Sequence, residues 1–281
     1  DDLLYELKES KAKTVICSYR RLDRINEIKD KVKIQNLIYT PVAIFPDYAL
    51  PDMEKIPDAY LLTDLIEKNE PNPPAVTINA KEDLALLPFT GGTTGVPKGT
   101  MLTHFNITSN IKQSIQWFLN PLKSSVRGKS ASLICVPVYH AYGLWAVHAS
   151  VSWGLRMILV DARDIDQIAS IIKKKRPFSV YGVPTHYMEL LKTDIRKMPI
   201  LYISGAAALP PSVAETFEKK TGVPMTEGYG MTETSPLTHI NISAISKVTR
   251  FMAEVKRSIG VPVPDTEVKL IDIETGEEAA I

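Results

Sequence analysis

A stretch rich in glycine and threonine, with one lysine, follows directly on an apolar run. It covers residues 86–104, LLPFTGGTTGVPKGTMLTH, and holds four of the chain's 14 glycines. Glycine lets the backbone approach a ligand closely, and backbone N–H groups, hydroxyls and an ammonium group together suit a phosphate. Taken alone, such a stretch is more typical of a flexible surface turn with a solvated lysine. The candidate phosphate-binding residues are Thr90, Gly91, Gly92, Thr93, Thr94, Gly95 and Lys98.

The spacing within this loop differs from that of two common nucleotide-binding loops. The NTPase loop has the form G-x-x-x-x-G-K-[ST], whereas Lys98 follows Pro97 and precedes Gly99 here. The dinucleotide fingerprint G-x-G-x-x-G is also missing from the sequence. The string T-G-G-T-T-G-V-P-K-G after an expected strand is therefore a different and more specific arrangement.

The elements that must position this loop form an alternating pattern of β-rich and amphipathic runs. Such alternation predicts an α/β fold with mostly parallel sheets covered by helices, in which ligands bind where loops leave the carboxyl ends of strands. A subdivision into residues 1–82 and 83–281 is possible. The expected strands cover 13–19, 33–40, 83–89, 132–138, 156–160, 178–183, 200–204 and 223–227. The expected helices cover 21–31, 59–69, 106–119, 144–153, 164–175, 185–193 and 211–220, with Pro211 at a helix start and Gly222 at a helix end.

Composition and charge restrict the class of protein. The 281 residues are 44% hydrophobic, which is enough for a large core in one or two domains. The 33 basic and 32 acidic residues give a net charge of +1, which argues against a nucleic-acid partner bound by bulk charge. Cys17 and Cys135 lie in apolar strings typical of buried thiols, so we expect a reducing, cytoplasmic location.

The chain ends and one uncharged stretch bear on targeting and membranes. The start, DDLLYELKES, is acidic and amphipathic, unlike a signal peptide, and lacks Met. Because the end, IETGEEAAI, has no closing helix, we expect a fragment. Residues 130–155 carry no charged side chain, but Pro137, Gly143, His140 and His148 would be costly in lipid. A buried strand followed by a buried helix, and no membrane span, is the expectation there.

The loop resembles the phosphate-binding signature of the adenylate-forming superfamily, which includes acyl-CoA synthetases, luciferases and peptide-synthetase adenylation domains. The usual form is [YF]-[TS]-S-G-[ST]-T-G-x-P-K-G, and Gly91 stands where serine is commonest. The resemblance implies part of the large N-terminal domain, without the ribose-binding aspartate motif, the hinge and the C-terminal domain. Further matches in the family's order are VPVYHAYGL (136–144), YISGAAALP (202–210), EGYGMTET (227–234) and RSIGVPVPDTEVKLID (257–272).

The resemblance implies a reaction in two steps. A carboxylate attacks the α-phosphate of ATP to give an acyl-adenylate and pyrophosphate, and a thiol, usually that of CoA, then displaces AMP. Because one anion attacks another, the first step needs groups that offset negative charge. The implied small molecules are a carboxylic acid, ATP, CoA and Mg²⁺.

The resemblance also implies a role for each residue of the nucleotide site. Residues 90–98 would hold the outgoing phosphates and close as a lid, with Lys98 catalytic. Glu233 would be the Mg²⁺ carboxylate, Thr90 would offer a second oxygen, and Thr232 would donate to the α-phosphate. Taken alone, Glu233 is more typical of a capping or salt-bridged glutamate. Adenine would lie between Tyr229, otherwise a core aromatic, and a wall of Gly205, Ala206 and Ala207, beside Glu227, Gly228 and Gly230.

On the acyl side, the resemblance places His140 near the carboxylate and the gate, although a lone histidine on an apolar stretch is more often a core residue. VPVYHAYG contains no acidic residue, where peptide-synthetase domains usually carry an aspartate for the amino group. We therefore expect a fatty or aryl acid, with fatty acids favoured. The candidates for lining the acyl pocket are Tyr181, Gly182, Val183 and Met231, whereas His148, His186 and His239 are interpreted as structural.

The sequence leaves three functions open. The first is an acyl-CoA synthetase, with a homodimer as an open alternative to a monomer. The second is an adenylating enzyme with another acceptor, such as an aryl-acid ligase, a carrier-protein ligase or a luciferase-like oxidase. The third is a nucleotide-binding module without turnover, which is the expectation for these 281 residues alone.

Overall fold

A computed structural model of the chain describes residues 2–40, 56–91, 95–116, 123–241 and 258–279. Its contacts define two compact units, which interleave along the sequence between residues 80 and 100. The first comprises Asp1–Asn79 and Phe89–Thr100, and the second Ala80–Pro88 and Met101–Ile281. The subdivision into 1–82 and 83–281 stays a prediction.

A small parallel sheet forms the centre of the first unit, and its strand order is β1-β2-β3. The helix expected over 21–31 is α-helical only over Leu22–Asn26, and 3₁₀ turns at Tyr19–Arg21 and Lys29–Lys31 lie on either side of it. Leu22, Ile25 and Ile28 are each 3% exposed, and their spacing of three places them on one face of the segment. The elements are α1 (Asp2–Ser10), β1 (Thr14–Ser18), α2 (Leu22–Asn26), β2 (Asn36–Thr40), β3 (Tyr60–Leu61) and α3 (Leu62–Lys68).

The glycine- and threonine-rich loop joins two antiparallel strands, not a parallel strand and a helix as expected. In the first unit, β5 (Phe89–Thr90) pairs antiparallel with β6 (Lys98–Gly99). In the second unit, β4 (Leu84–Leu86) pairs antiparallel with β7 (Leu102–Thr103). The single strand expected over 83–89 is therefore two strands, because Pro88 lies between them and lacks an N–H group for a ladder hydrogen bond.

A seven-stranded sheet, counted over the described residues, forms the centre of the second unit in the order β14-β13-β12-β11-β10-β8-β9. The strands from β9 to β12 run parallel, and β13 and β14 add antiparallel pairs at one edge. The expected α/β class with a mainly parallel sheet is thus confirmed. The bounds are β8 (Ala131–Ile134), β9 (Arg156–Leu159), β10 (Ser179–Gly182), β11 (Leu201–Ser204), β12 (Thr226–Gly230), β13 (Leu237–Ile240) and β14 (Val261–Pro262).

The helices of the second unit have well-defined ends. At the start of α4, the Thr103 hydroxyl accepts from the Asn106 N–H at 3.2 Å while the Asn106 amide oxygen accepts from the Thr103 N–H at 2.8 Å. Pro211 and Gly222 mark the start and end of α9 as expected, and Gly222 has a φ of 75°. The helices are α4 (His104–Ile111), which continues as a π-helix to Gln116, α5 (Lys123–Val126), α6 (Ala141–Trp153), α7 (Ile165–Lys175), α8 (Pro184–Leu191) and α9 (Pro211–Thr221).

Two of these elements have bounds that differ from those expected, and the end of a third lies partly outside the described residues. Helix α6 begins three residues earlier than expected, at Ala141. The strand expected over 223–227 is shifted to Thr226–Gly230, because Pro224 cannot donate to a ladder and β13 pairs with the later residues. The end of the helix expected over 106–119 lies partly outside the described residues.

Alternate residues of the central strands enter two separate hydrophobic cores, as the two-residue period of a strand requires. One core packs against α6, and the other packs against α7, α8 and α9. The α6 core contains Ile134, Tyr181 and Ile203, whereas the other contains their neighbours Leu133, Val180 and Tyr202. The uncharged stretch 130–155 is thus a buried strand followed by a largely buried helix, as expected.

Both cysteines are unpaired. Cys135 is buried, and burial raises the pKa of its thiol to about 12, whereas Cys17 is only half-buried. Among the helices of the described residues, none combines the length and apolar composition that crossing a membrane requires.

Candidate active site

A cavity of about 360 Å³ opens in the second unit where strands of the parallel sheet end. This volume falls within the range of roughly 300–1,000 Å³ that small-molecule sites usually have. The cavity brings three of the sequence motifs together around one space. The sequence-predicted residues that line it are His140, Val183, Gly205, Ala206, Gly228, Tyr229, Gly230, Met231 and Thr232.

Five predicted residues of this unit lie outside the cavity lining. Tyr181 and Gly182 are buried in β10 beneath it, and Ala207 and Glu233 are exposed to solvent. Glu227 is half-buried and points its carboxylate at a backbone N–H. The cavity thus brings nine of the fourteen predicted residues of this unit together, and the roles proposed for all fourteen stay predictions.

The N-terminus of α6 forms the acyl-side rim. His140 is the N-cap residue of α6, and its exposed ring lies 4.7 Å from that of Tyr139. The first N–H groups of a helix and its dipole favour a negative charge at this end. A methyl group at Gly143 would lie 2.1 Å from the Pro137 oxygen, so only glycine permits this close approach of α6 to the segment after β8. The rim can therefore accommodate a carboxylate.

Aromatic side chains form the floor of the same cavity. The Tyr142 hydroxyl donates to the Ile203 carbonyl oxygen at 2.9 Å, and its ring meets that of Tyr181 edge-on at 6.4 Å. Trp145 contacts Tyr181 in the same way at 6.0 Å. Burial raises the pKa of both tyrosines, so both phenols are neutral near pH 7. An apolar, uncharged floor suits an apolar ligand.

The strand β12 and the turn after it form the opposite rim. A shift in pairing with β13 occurs between Tyr229 and Gly230. The Met231 N–H donates to the Pro236 carbonyl at 3.0 Å, and the Thr234 hydroxyl donates to the Met231 carbonyl at 2.9 Å. These bonds close the 3₁₀ turn Thr232–Thr234. Thr232 is thereby held at the cavity, and among the described residues its hydroxyl has no hydrogen-bond partner.

Tyr229 is available to a ligand and is not an ordinary core aromatic. Its side chain is 45% exposed, and its ring contacts that of His239 edge-on at 6.0 Å. The segment after β11 lines the same cavity, and in it Ala206 adopts a φ of 67° that a residue other than glycine rarely takes. An aromatic ring and a backbone of small residues thus belong to one lining.

Glu227 holds the segment after β11 in place. Its carboxylate accepts a hydrogen bond from the Leu209 N–H at 3.1 Å, which ties the segment after β11 to β12. Burial raises the pKa of Glu227, and the Leu209 N–H partly opposes the shift. Sequence reasoning placed Glu227 among the nucleotide contacts, whereas its contact in the structure is with the protein backbone.

The phosphate-loop candidates belong to the first unit. Thr90 and Lys98 pair across the β5–β6 ladder, and the Thr90 hydroxyl lies 3.5 Å from the Lys98 carbonyl. Gly91, Gly95 and Lys98 are exposed, and Gly95 has a φ of 80°. The remaining candidates, Gly92, Thr93 and Thr94, lie outside the described residues.

The described residues contain no group of three or more His, Cys, Asp or Glu side chains arranged to bind a metal ion. Glu233 is exposed. Thr90, the other predicted ligand, belongs to the other unit. The Mg²⁺ site at these two residues stays a prediction.

Three histidines were interpreted as structural, and His186 has a clear structural contact. Its Nδ1 accepts a hydrogen bond from the Val183 N–H at 3.1 Å at the start of α8. Burial lowers the pKa of His148, His186 and His239. Each is therefore neutral near pH 7.

Sequence reasoning missed part of the lining. Trp145, Leu237 and Ile240 contact the cavity but were not candidates. Trp145 lies three residues after Tyr142 and so on the same face of α6, which is a usable signal once the helix start is known. Leu237 and Ile240 belong to β13, which the sequence did not reveal.

Comparison with known sequences extends these observations. The family model described as AMP-binding enzyme matches residues 1–280. A long-chain-fatty-acid–CoA ligase of Bacillus subtilis (strain 168) is 39% identical over 210 residues, which are 72% of this chain and 35% of that protein. A ligase of the same name from Salmonella typhimurium is 29% identical over 305 residues, with 99% of this chain and 52% of that protein covered. The chain thus spans about a third to a half of the length of the curated relatives it matches.

Solved structures share the fold. ATP-bound MatB from Rhodopseudomonas palustris superposes with a TM-score of 0.77 at 26% identity, over 99% of this chain and 50% of that one. A long-chain-fatty-acid–CoA ligase, FadD1, from Archaeoglobus fulgidus gives 0.74 at 21% identity, over 99% and 53%. The second likeness, at this identity, concerns the fold alone.

Proposed function

Because the chain belongs to the AMP-binding enzyme family, we propose that the protein activates a carboxylic acid with ATP and transfers the acyl group to the thiol of CoA. The proposed acid is a fatty acid. The observation that carries the proposal is the single cavity at which His140, Tyr229 and Thr232 meet. It joins the acyl-side rim to the rim that carries Tyr229, on whose ring the flat adenine base would stack.

In the first step, a carboxylate oxygen of the acid bonds to the α-phosphorus of ATP, and pyrophosphate leaves with the bridging oxygen. The carboxylate would lie beside His140 at the N-terminus of α6, and the partial positive charge of that helix end would stabilise it. The Thr232 hydroxyl would donate to an α-phosphate oxygen, where negative charge must be offset as the bond forms. Residues 90–98 would hold the leaving pyrophosphate.

In the second step, the sulfur of CoA bonds to the acyl carbon, and AMP leaves with the carboxyl oxygen it received. The thiol proton passes to solvent. The names of the curated relatives, which are CoA ligases, favour CoA over another acceptor. We propose a cytoplasmic location, where CoA and ATP are present and unpaired thiols persist.

The cavity lining supports an apolar acid. Val136, Trp145, Leu237 and Ile240 contribute apolar surface, and none of the described lining residues is acidic. An amino acid would therefore bring an ammonium group to a site without a carboxylate to pair with it, at a cost in desolvation.

We propose Glu233 as the single protein carboxylate for Mg²⁺, which binds through one or two carboxylates, substrate phosphates and water. Glu233→Gln keeps the shape and removes the charge, so it should slow acyl-adenylate formation and weaken its dependence on Mg²⁺ concentration. Thermal unfolding should be unchanged, because the side chain is exposed. If Glu233→Gln shows the kinetics of wild type across a Mg²⁺ titration, Glu233 is not a ligand of the metal ion.

An acid panel tests the function. The intact protein is incubated with ATP, Mg²⁺, CoA and, in turn, octanoate, palmitate, benzoate or phenylalanine, and acyl-CoA and AMP are measured by mass spectrometry. We expect fatty acyl-CoA and AMP in equal amounts. Preference for phenylalanine, or ADP as the product, would overturn the proposal.

A further inference from the structure

His186 connects two backbone segments at the start of α8, and its ring lies outside the lining of the cavity. Its Nδ1 accepts a hydrogen bond from the Val183 N–H at 3.1 Å. The ring also bonds to the backbone of Ala162, in the segment between β9 and α7. Because Nδ1 accepts, the ring proton lies on Nε2, and Nε2 donates to the Ala162 carbonyl oxygen. The two bonds together fix the orientation of the ring.

The N–H group that His186 pairs belongs to a residue of the cavity wall. Val183 is the N-cap residue of α8, and it lines the cavity. The peptide group that joins Gly182 to Val183 is bonded on both sides. Its carbonyl oxygen accepts from the Gly205 N–H at 3.4 Å, and its N–H donates to His186. This peptide group therefore sets where Val183 lies in the wall.

Close packing around Gly182 makes the position of the ring specific. A methyl group at Gly182 would lie 3.1 Å from the Tyr187 hydroxyl and 3.3 Å from His186 Nδ1. Tyr187 is buried, and its hydroxyl donates to the Val180 carbonyl at 3.1 Å. Without the ring nitrogen, the Val183 N–H would lose its partner at a half-buried position, which is costly. The peptide group would then shift toward another acceptor.

We propose that His186 is a positioning residue for the acid. It holds the peptide group between Gly182 and Val183, and thereby keeps Val183 in the wall against which the acid packs. The inference rests on the proposed function, which places the acid in this cavity beside His140. His186 itself does not touch the acid, because its ring lies outside the cavity lining.

The test separates the hydrogen bond from the bulk of the side chain. His186→Leu keeps an apolar side chain of similar size and removes both ring bonds. The side-chain oxygen introduced by His186→Asn can still accept from the Val183 N–H. The chain already contains that arrangement, since Asn106, at the equivalent position of α4, accepts from the N-cap N–H of Thr103 at 2.8 Å.

The KM values for octanoate and for ATP are measured on the intact protein. His186→Leu should raise the KM for octanoate by about tenfold, which is less than the roughly hundredfold effect that a misplacement of about 1 Å can have. The KM for ATP should be unchanged, because the shift concerns the acid. His186→Asn should restore most of the wild-type KM for octanoate.

Thr185→Ala is the matched control, because Thr185 is the exposed neighbour of His186 in the first turn of α8. Its KM values should equal those of wild type. Thermal unfolding identifies any variant that fails to fold. If His186→Leu fails, His186→Ala decides in its place, since it removes the same bonds and alanine favours a helix.

Three results overturn the inference while the proposed function stands. They are a wild-type KM for octanoate in a folded variant without the ring bonds, an equal rise in both KM values, and a failure of His186→Asn to restore the KM for octanoate. A wild type that activates no fatty acid overturns the function itself.

Discussion

At the residue scale, the site consists of a few polar groups at the rim of an apolar cavity. The exposed ring of His140, the partly exposed ring of Tyr229 and the Thr232 hydroxyl, which has no partner among the described residues, line the same cavity. Phosphoryl transfer requires positioned charge more than covalent chemistry from the protein. The α6 N-terminus supplies partial positive charge at the rim itself, and we propose that Lys98 and the metal ion supply the rest.

Lys98→Ala should slow acyl-adenylate formation far more than it affects folding. The side chain is exposed, so its loss removes little packing. If it neutralises charge on the outgoing phosphates, kcat should fall by about tenfold to a hundredfold, since a single transition-state donor is often worth that much or more. Lys219→Ala, on the exposed face of α9, is the matched control. Equal rates for both variants would remove Lys98 from the mechanism.

Glu227→Gln should stabilise the protein at pH 7. Burial raises the pKa of Glu227 in the folded state, so its contribution to stability is greatest at low pH and falls as the pH rises through that raised pKa. The glutamine keeps an oxygen for the Leu209 N–H without the charge. Unfolding in urea at several pH values should give Glu227→Gln a higher free energy of unfolding than wild type at pH 7. This difference should disappear below the usual glutamate pKa of about 4.3.

The exposed Glu267 supplies the control for this comparison. Glu267→Gln should leave the free energy of unfolding nearly unchanged over the same pH range. A Glu227→Gln variant less stable than wild type at pH 7 would show that the charged bond to Leu209 outweighs the cost of burial.

At the element scale, the hairpin of β12 and β13 decides where the nucleotide rim lies. The sequence predicted a strand that ends at residue 227, but the ladder runs to Gly230. A methyl group at Gly230 would lie 1.9 Å from the Pro236 carbonyl oxygen. The glycine therefore permits the close backbone approach that closes the turn carrying Thr232.

Gly230→Ala should destabilise the second unit by about 1–3 kcal/mol, the usual cost of an added group in a packed site. Activity should fall as the turn is displaced. Gly91→Ala, where none of the described residues lies within 4 Å of the added methyl, is the control for stability. Calorimetric unfolding distinguishes the two, and equal melting temperatures would contradict the role given to Gly230.

Local residue patterns predicted most elements, and two departures have a local cause in a proline. The glycine-rich motifs, the strand–helix alternation and the capping residues indicated the parallel part of the sheet correctly. Pro88 divided an expected strand, and Pro224 shifted another toward its C-terminal end. The contacts of Trp145 with Ser114 and of Leu237 with Asn110 depend on tertiary packing, which no local pattern encodes.

At the scale of the whole molecule, the second unit is a sheet with an apolar core on each face, and the cavity opens on the face that α6 covers. The AMP-binding family match spans both compact units. The chain covers about half of the structures it resembles. We propose that it carries the acyl floor, the adenine contacts and the phosphate loop of an acid-activating enzyme.

The most direct test of that account is isotope exchange between pyrophosphate and ATP, catalysed by the intact protein without CoA. Reversible formation of an acyl-adenylate predicts exchange that requires both a fatty acid and Mg²⁺, and that Lys98→Ala reduces. Exchange that proceeds equally without any acid, or fatty-acid-dependent release of ADP and inorganic phosphate with no exchange, would contradict the central claim.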